Sequence, residues 1–531
     1  MTVEHRPPAP PAWEAPEIER LLAEPFTGRR EVPPARQVFV NRTLRMDKIE
    51  AVGFDMDYTL AIYQAREMEA LAFRMTAELM VERFGYPAGL GEVAYDPDFV
   101  IRGVVVDKEQ GNLFKMDRHN HVGRGVHGRR PIPEAALHRL YREEKIHLGS
   151  PRFAWLDTLF ALPEGCLFAE AIELLERGGA EVDYARLYDH IREAIDTVHR
   201  DGSLKRVVLA DLPRFLVRDP ELGPALHKLR SGGKRLFLLT NSMADYTDAV
   251  MRHVLDGVMP EYASWRSYFD AILTGAGKPG FFGERRPLLL LRPDGTPAGE
   301  AASLERGRLY QGGDLGRLEE LLGTGGDRVL YVGDHIYGDI LRSRKSSLWR
   351  TALVVEELER ELGWLDGHRE TLGELSRLEG VRTQLEDAVA SHRTALNQAE
   401  RRRERAVPGE AAWLEEQSRR IRHELDLLRS ALRAANERIA VLARELEAGV
   451  NATWGFLFKE GNENSRFGEQ VEDYACLYTS RASNLGYYSP VERFRSPRAA
   501  MPHERATVVL SIWGEEHGQA AAAARPSKAP R

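Results

Sequence analysis

Short apolar runs at residues 49–54, 235–239 and 328–332 stand out from an otherwise mixed chain. Each is too short for a helix and suits a buried parallel strand, and helix-like periodicity lies beside each. Alternating strands and helices predict a doubly wound, Rossmann-like α/β core. About 180 residues separate the first run from the second, far more than a connecting loop needs. Residues 61–230 are therefore expected to be mainly an inserted cap lobe, which leaves 36–60 and 231–367 for the core.

A different pattern fills residues 368–448. Leu414, Ile421, Leu425, Leu428, Leu432, Ile439, Leu442 and Leu446 recur at spacings of three, four and seven. Leu375, Leu378, Leu385, His392, Leu396 and Ala399 form a weaker stripe upstream, and Pro408-Gly409 separates the two. This predicts a coiled-coil hairpin of two antiparallel helices, each arm about 50 Å long. Its arms either pack on each other or build an oligomer interface. His392 reads as a tolerated polar residue of the stripe. Residues 1–35, rich in Pro and Glu, are expected to be loose, 449–514 to pack on the core, and 515–531 to be a disordered tail.

Composition narrows the class. Of 531 residues 43% are hydrophobic and 29% charged, ordinary for a globular protein large enough for several lobes. A net charge of -7 argues against nucleic acid as a partner. Cys166 and Cys476 are the only cysteines, which excludes a disulfide framework and a cysteine zinc site. With no signal-like start and no run of about 18 apolar residues, a cytoplasmic protein without a membrane partner is expected.

The chemistry gathers at the ends of the apolar runs. Asp55-Met56-Asp57 follows the first, and side chains two apart on a strand share a face. Both carboxylates can thus address one ligand at the carboxyl edge of the sheet. Asp55 can attack phosphorus while Asp57 moves a proton to or from the leaving oxygen. Thr240-Asn241-Ser242 ends the second run and offers hydroxyls and an amide to phosphate oxygens, though the same residues also cap helices. Lys278 in Gly275-Ala276-Gly277-Lys278-Pro279 can offset phosphate charge. Asp334, after the third run, can complete a magnesium site with Asp55 and the backbone carbonyl of Asp57. Asp339 can orient Lys278 or the metal's waters, and His335 reads as structural.

The order D-x-D-x-T, Thr/Ser, Lys, G-D-x…D resembles the haloacid dehalogenase superfamily. That implies a nucleophile at Asp55, an acid/base at Asp57, phosphate contacts at Thr240 and Lys278, and Mg2+ at Asp334. More closely, FDMDYTLAIY, RGVVVDKEQGNLFKMD, DTLFALPE, DGSLK, LTNS, VGDHIYGDIL and WRTALVV are similar to the cytosolic purine 5′-nucleotidase family. ACLYTSRASNLGYY and MPHE extend the resemblance, which spans residues 35 to about 505 outside the hairpin. By that resemblance Arg192, Asp196, His199 and Lys205 contact the nucleotide and Phe160 stacks on the base. Residues at i, i+4 and i+7 equally make a plain helix face.

The expectation is a magnesium-dependent purine nucleoside monophosphate phosphohydrolase, preferring IMP and GMP, with phosphotransfer to nucleosides and a dimeric or tetrameric state. Asp157 and the region 142–155 depart from the animal members of the family, so effector regulation is not expected to carry over. A phosphatase of non-nucleotide esters and a non-catalytic coiled-coil scaffold are the alternatives.

Overall fold

The computed structural model describes residues 32–142, 146–341 and 347–497. The expected tail at 515–531, the MPHE segment and most of the expected loose N-terminal segment lie outside these residues. Within that N-terminal segment, Ala35 is held by its carbonyl, which accepts from Ser480 Oγ at 2.7 Å.

A ten-stranded sheet forms the centre. Its order is Phe39–Val40, Leu477–Thr479, Arg350–Val354, Val329–Gly333, Ala51–Phe54, Arg235–Leu239, Ala271–Thr274, Leu309–Gly312, Leu288–Leu291, Pro297–Glu300. The seven strands from Leu477–Thr479 to Leu309–Gly312 run parallel, and antiparallel strands close both edges. The chain leaves Ala51–Phe54 toward one side and returns on the other, through Val329–Gly333. Ala51–Phe54 therefore lies at the reversal of strand order, where doubly wound sheets open a crevice at the carboxyl ends. The fold is α/β with a doubly wound core, as the alternation of apolar runs implies.

Gly53 explains part of the packing here. It pairs with Phe237 on one side and Tyr331 on the other, and a Cβ at Gly53 would sit 2.1 Å from the Phe237 ring. The missing side chain lets the two rings approach across the strand, 6.4 Å between centroids and nearly parallel. Both are buried.

Residues between the first two core strands carry a second, antiparallel sheet, ordered Arg130–Pro131, Val122–His127, Asn112–Met116, Val104–Asp107, Phe153–Leu156. The helices Ala65–Phe84, Leu162–Arg177 and Tyr184–Arg200 pack beside it. One continuous cluster of buried apolar side chains runs from the core sheet into these helices, joining Val52 and Leu238 to Phe73, Leu167 and Ile191.

Two long helices, Arg369–Arg403 and Pro408–Val450, occupy the stripe region. The break falls at residues 404–407, and Pro408 opens the second helix, where its missing N–H costs nothing. The arms are about 52 and 65 Å long at 1.5 Å per residue. Leu414, Ser418, Leu425, Ala435, Ile439, Leu442 and Leu446 are buried along the second arm. Ser418 and Ala435 extend the leucine stripe to an unbroken alternation of three and four, the spacing expected of a coiled-coil seam. No residue of the first arm is fully buried. The arms are tied by Arg422 to Glu400 at 2.6 Å, Arg438 to Glu374 at 2.9 Å and His392 to Glu424 at 3.2 Å.

Candidate active site

Four core strands deliver their carboxyl ends to one place. Asp55 follows Ala51–Phe54, and its N–H donates to the Val332 carbonyl at 2.9 Å. Its Oδ1 accepts from the Met56 N–H at 2.8 Å and lies 2.9 Å from Lys278 Nζ. The second oxygen, Oδ2, accepts no hydrogen bond among the described residues. Burial pushes the Asp55 carboxyl up to about 7, against the pull of Lys278, and the charges of Asp339 and Asp57 add to the rise.

Lys278 is buried and spends three donors. Its ammonium reaches Asp339 Oδ1 at 2.7 Å, the Tyr331 hydroxyl at 2.9 Å and Asp55. Burial disfavours its charge, but Asp339 and Asp55 more than offset this and hold the lysine well above its ordinary value. Tyr331, placed by the Gly53 gap, donates to the Leu239 carbonyl at 3.1 Å. Asp339 Oδ2 accepts from the His335 N–H at 3.3 Å. A Cβ at Gly333 would fall 2.6 Å from that same oxygen, so glycine is needed at this strand end.

Asp334 is also buried. Its carboxylate makes no hydrogen bond among the described residues, and burial, with the charges of Asp339 and Asp55, drives it well above the ordinary carboxylate range. Carboxylate oxygens of Asp55, Asp334 and Asp339 all lie within 4.8 Å of one another. A buried carboxylate without a donor, beside two more, fits a hard divalent cation. Sequence reasoning placed Asp339 outside the metal set; its geometry serves both the lysine and this cluster.

Asp57 turns to the other side. Its Oδ1 accepts from the Tyr63 hydroxyl at 2.6 Å and its Oδ2 from Ser242 Oγ at 2.8 Å. Tyr63 in turn touches the Tyr246 hydroxyl at 2.9 Å. The carboxylate thus bonds to Tyr63 and Ser242 and is not part of the Asp55–Asp334–Asp339 cluster, and the ligand expected from this residue was its carbonyl. Asp57, Ser242, Tyr63 and Tyr246 line a cavity of about 190 Å³ with Phe160, His199 and Lys205. Three of the five residues expected to hold nucleotide therefore share a cavity with Asp57, about 100 to 150 residues away in sequence.

Phe160 stands edge-on to Tyr58 at 4.8 Å and to His199 at 5.6 Å between ring centroids. Both His199 ring nitrogens are buried without a hydrogen-bond partner among the described residues, and burial holds the ring below its ordinary value. Lys205 sits 4.8 Å over the Tyr246 ring and 3.5 Å from Ser242 Oγ. Arg192 and Asp196 share the helix Tyr184–Arg200 with His199 but do not line this cavity. Arg192 reaches buried Glu164 at 2.7 Å and Asp196 at 3.4 Å.

Thr240 and Asn241 are occupied within the protein. Thr240 Oγ1 accepts from the Ser242 N–H at 3.0 Å. The Asn241 amide clasps the backbone of Lys278 from both sides: its Nδ2 donates to the Lys278 carbonyl at 3.0 Å, and its Oδ1 accepts the Lys278 N–H at 2.6 Å. Asn241 thereby fixes the lysine's loop to the adjacent strand end. Tyr63, Tyr246 and Tyr331 escaped the sequence reading. The one available signal was Tyr63, six residues past Asp57 in the short strand Ile62–Tyr63.

Known proteins match this sequence over most of its length. A 5′-nucleotidase domain-containing protein of Dictyostelium discoideum is 31% identical over 478 residues, covering 88% of this chain and 75% of that one. The human 5′-nucleotidase domain-containing protein 2 is 28% identical over 483 residues, covering 88% of this chain and 85% of that one. A solved structure, a predicted phosphoglycolate phosphatase from Haemophilus somnus, aligns with 58% of this chain and 86% of its own at 12% identity. Its TM-score of 0.26 is too low to carry weight. The model of the 5′ nucleotidase family matches residues 38–506, which takes in both acids, the lysine and every cap residue named above. The chain is an enzyme of the 5′ nucleotidase family.

Proposed function

We propose that the chain hydrolyses purine nucleoside 5′-monophosphates, IMP and GMP before others, through a phosphorylated Asp55. The observation that carries this reading is the juxtaposition of Asp55, Lys278, Asp334 and Asp339 with a cavity lined by Asp57, Phe160, His199 and Lys205. Asp55 offers an oxygen free of protein donors to phosphorus, and the bond from phosphorus to the 5′ oxygen breaks as the new one forms. Asp57 gives a proton to the departing oxygen, then takes one from the water that cleaves the aspartyl-phosphate, and inorganic phosphate leaves. Lys278 balances charge at the oxygens around phosphorus. A nucleoside hydroxyl in place of that water yields phosphotransfer.

Asp55 and Asp334 carboxylates with the Asp57 carbonyl are the residues to hold Mg2+; when bound, the ion neutralises phosphate charge and orients the ester. Phe160 supports a flat base, and the half-exposed Arg192–Asp196 pair within the helix Tyr184–Arg200 suits the oxo and amino edge of a 6-oxopurine. The two cysteines are free and buried, which supports a reducing, cytoplasmic setting. Among the described residues no helix is long and apolar enough to cross a membrane.

The test is phosphate release from IMP, GMP, AMP, CMP, UMP and sugar phosphates, with Mg2+ and with EDTA. Mg2+-dependent release led by IMP and GMP is expected. Release from sugar phosphates alone would discard the nucleotide assignment and keep the aspartate chemistry.

A further inference from the structure

Arg102 belongs to the lobe inserted after the first core strand, at the turn before Val104–Asp107, yet its side chain is fully buried against the core. Nε donates to Glu357 Oε1 at 2.7 Å, NH2 donates to the other oxygen of that carboxylate, and NH1 donates to the backbone carbonyl of Asp334 at 3.0 Å. The Phe467 ring lies 5.1 Å from the guanidinium carbon. The two bonds to Glu357 fix the plane of the guanidinium, so its third donor meets the Asp334 carbonyl at a set angle. A lysine could not do this, because its single nitrogen has no planar fork.

The Asp334 carboxylate has no hydrogen bond of its own among the described residues. Its direction is therefore set by its backbone, and Arg102 holds that backbone. The same peptide unit is held at its other edge by the His335 N–H on Asp339, so Arg102 and Asp339 together set its plane. We infer that Arg102 is a positioning residue of the cation site: it aims the Asp334 carboxylate at the Asp55–Asp339 cluster and makes cation binding depend on the seating of the inserted lobe. This rests on the reading of Asp334 as a cation ligand. Arg102 also brings a positive charge near a cluster of three carboxylates, which tempers their mutual repulsion.

The experiment uses the full chain, stripped of metal, as wild type, Arg102→Lys, Arg102→Met and Glu357→Gln. Mn2+ binding is followed by the electron paramagnetic resonance of the free ion, beside the Mg2+ dependence of phosphate release and the thermal unfolding curve. Arg102→Met should weaken Mn2+ binding by about 10- to 100-fold, the usual effect of losing a partner behind a metal ligand, while kcat at saturating Mg2+ largely recovers. Arg102→Lys should fall between, and Glu357→Gln should weaken binding less, since the carbonyl contact survives. Folded Arg102 variants that bind Mn2+ as wild type does, with only a lowered melting temperature, would overturn the inference and leave Arg102 a brace between lobes. Should Arg102→Met fail to fold, Arg102→Lys and Glu357→Gln decide by the same criterion. Wild type that binds no Mn2+ would instead remove the cation reading of Asp334, and this inference with it.

Discussion

Gly333→Ala adds one methyl group to the strand that ends at Asp334, and its effect can be worked out from contacts. The new Cβ would lie 2.6 Å from Asp339 Oδ2 and 2.7 Å from both Asp339 Cβ and Cγ. Ordinary contact begins near 3.4 Å, so Asp339 must retreat by roughly 0.8 Å. The backbone at Gly333 is not in the left-handed region, so alanine itself meets no conformational penalty there. The ion pair between Asp339 Oδ1 and Lys278 Nζ, now 2.7 Å, would stretch to about 3.5 Å and cease to be a hydrogen bond. Losing a hydrogen bond between charged groups costs about 1.5–3 kcal/mol. If that loss falls on the transition state, kcat drops by about 10- to 100-fold. If it falls on the fold, the melting temperature drops instead. Steady-state phosphate release and thermal unfolding, run in parallel, divide the two. Gly363→Ala is the control: it lies in the helix Glu357–Gly367 with nothing within 4 Å of its Cβ, and should be neutral or mildly stabilising. A Gly333→Ala protein with wild-type kcat and wild-type melting temperature would refute the argument that Asp339 fixes Lys278.

Asp55→Asn should abolish turnover with the circular dichroism spectrum unchanged, and normal phosphate release from that variant would end the aspartyl-phosphate mechanism. Phe160→Ala should raise KM for IMP by about tenfold, the loss of about 1.4 kcal/mol of ring contact, and leave a sugar phosphate unaffected; equal losses on both substrates would deny base stacking. Glu69, buried beside Tyr95 and near Glu356, has its carboxyl pushed up to about 8 by burial. Its folded value lies above its unfolded one, so its contribution to stability is complete below the unfolded value and is lost as pH rises through about 8. The slope is at most about 1.4 kcal/mol per pH unit. Urea unfolding should therefore show Glu69→Gln gaining on wild type between about pH 5.5 and 8.5; parallel pH profiles would contradict this. Excising residues 379–439 of the hairpin should leave nucleotide hydrolysis within about threefold of wild type, under 1 kcal/mol on the barrier, and a dead enzyme would tie the hairpin to the site.

The sequence was most readable where one local rule decides. Apolar runs ending in polar residues marked the three central strands to within two residues, because a strand buried on both faces leaves no other pattern. The leucine stripe marked both helical arms, and Pro408 marked the start of the second. What escaped depends on pairs far apart in the chain. Asn241 and Ser242 were read as phosphate contacts from their place at a strand end. In the fold Asn241 is committed to Lys278 and Ser242 to Asp57, neither of which any local pattern can announce. The strands Ala271–Thr274 and Leu309–Gly312 are four residues each, too short for a period to show. Arg102 sits in a segment quoted for its resemblance alone, and only the meeting of two lobes gives its guanidinium partners. Asp339 was understood as orienting Lys278, and its second position, within reach of Asp55 and Asp334, needed coordinates.

Lys278 ends the resting state with no donor to spare: one N–H on Asp339, one on Tyr331, one on Asp55. An arriving phosphate can gain this lysine only by taking a bond that already exists. Tyr331 and Asp339 are anchored behind it, so the exchangeable partner is Asp55. In the proposed mechanism the ester brings its phosphate charge with it, and phosphorylation of Asp55 discharges that carboxylate, so the ammonium's pull toward Asp55 falls while the phosphoryl oxygens beyond it keep theirs. The lysine need not travel. In the proposed mechanism it turns from the discharged carboxylate to the phosphoryl oxygens, whose charge came in with the substrate, and hydrolysis of the acyl phosphate returns it to its starting partner.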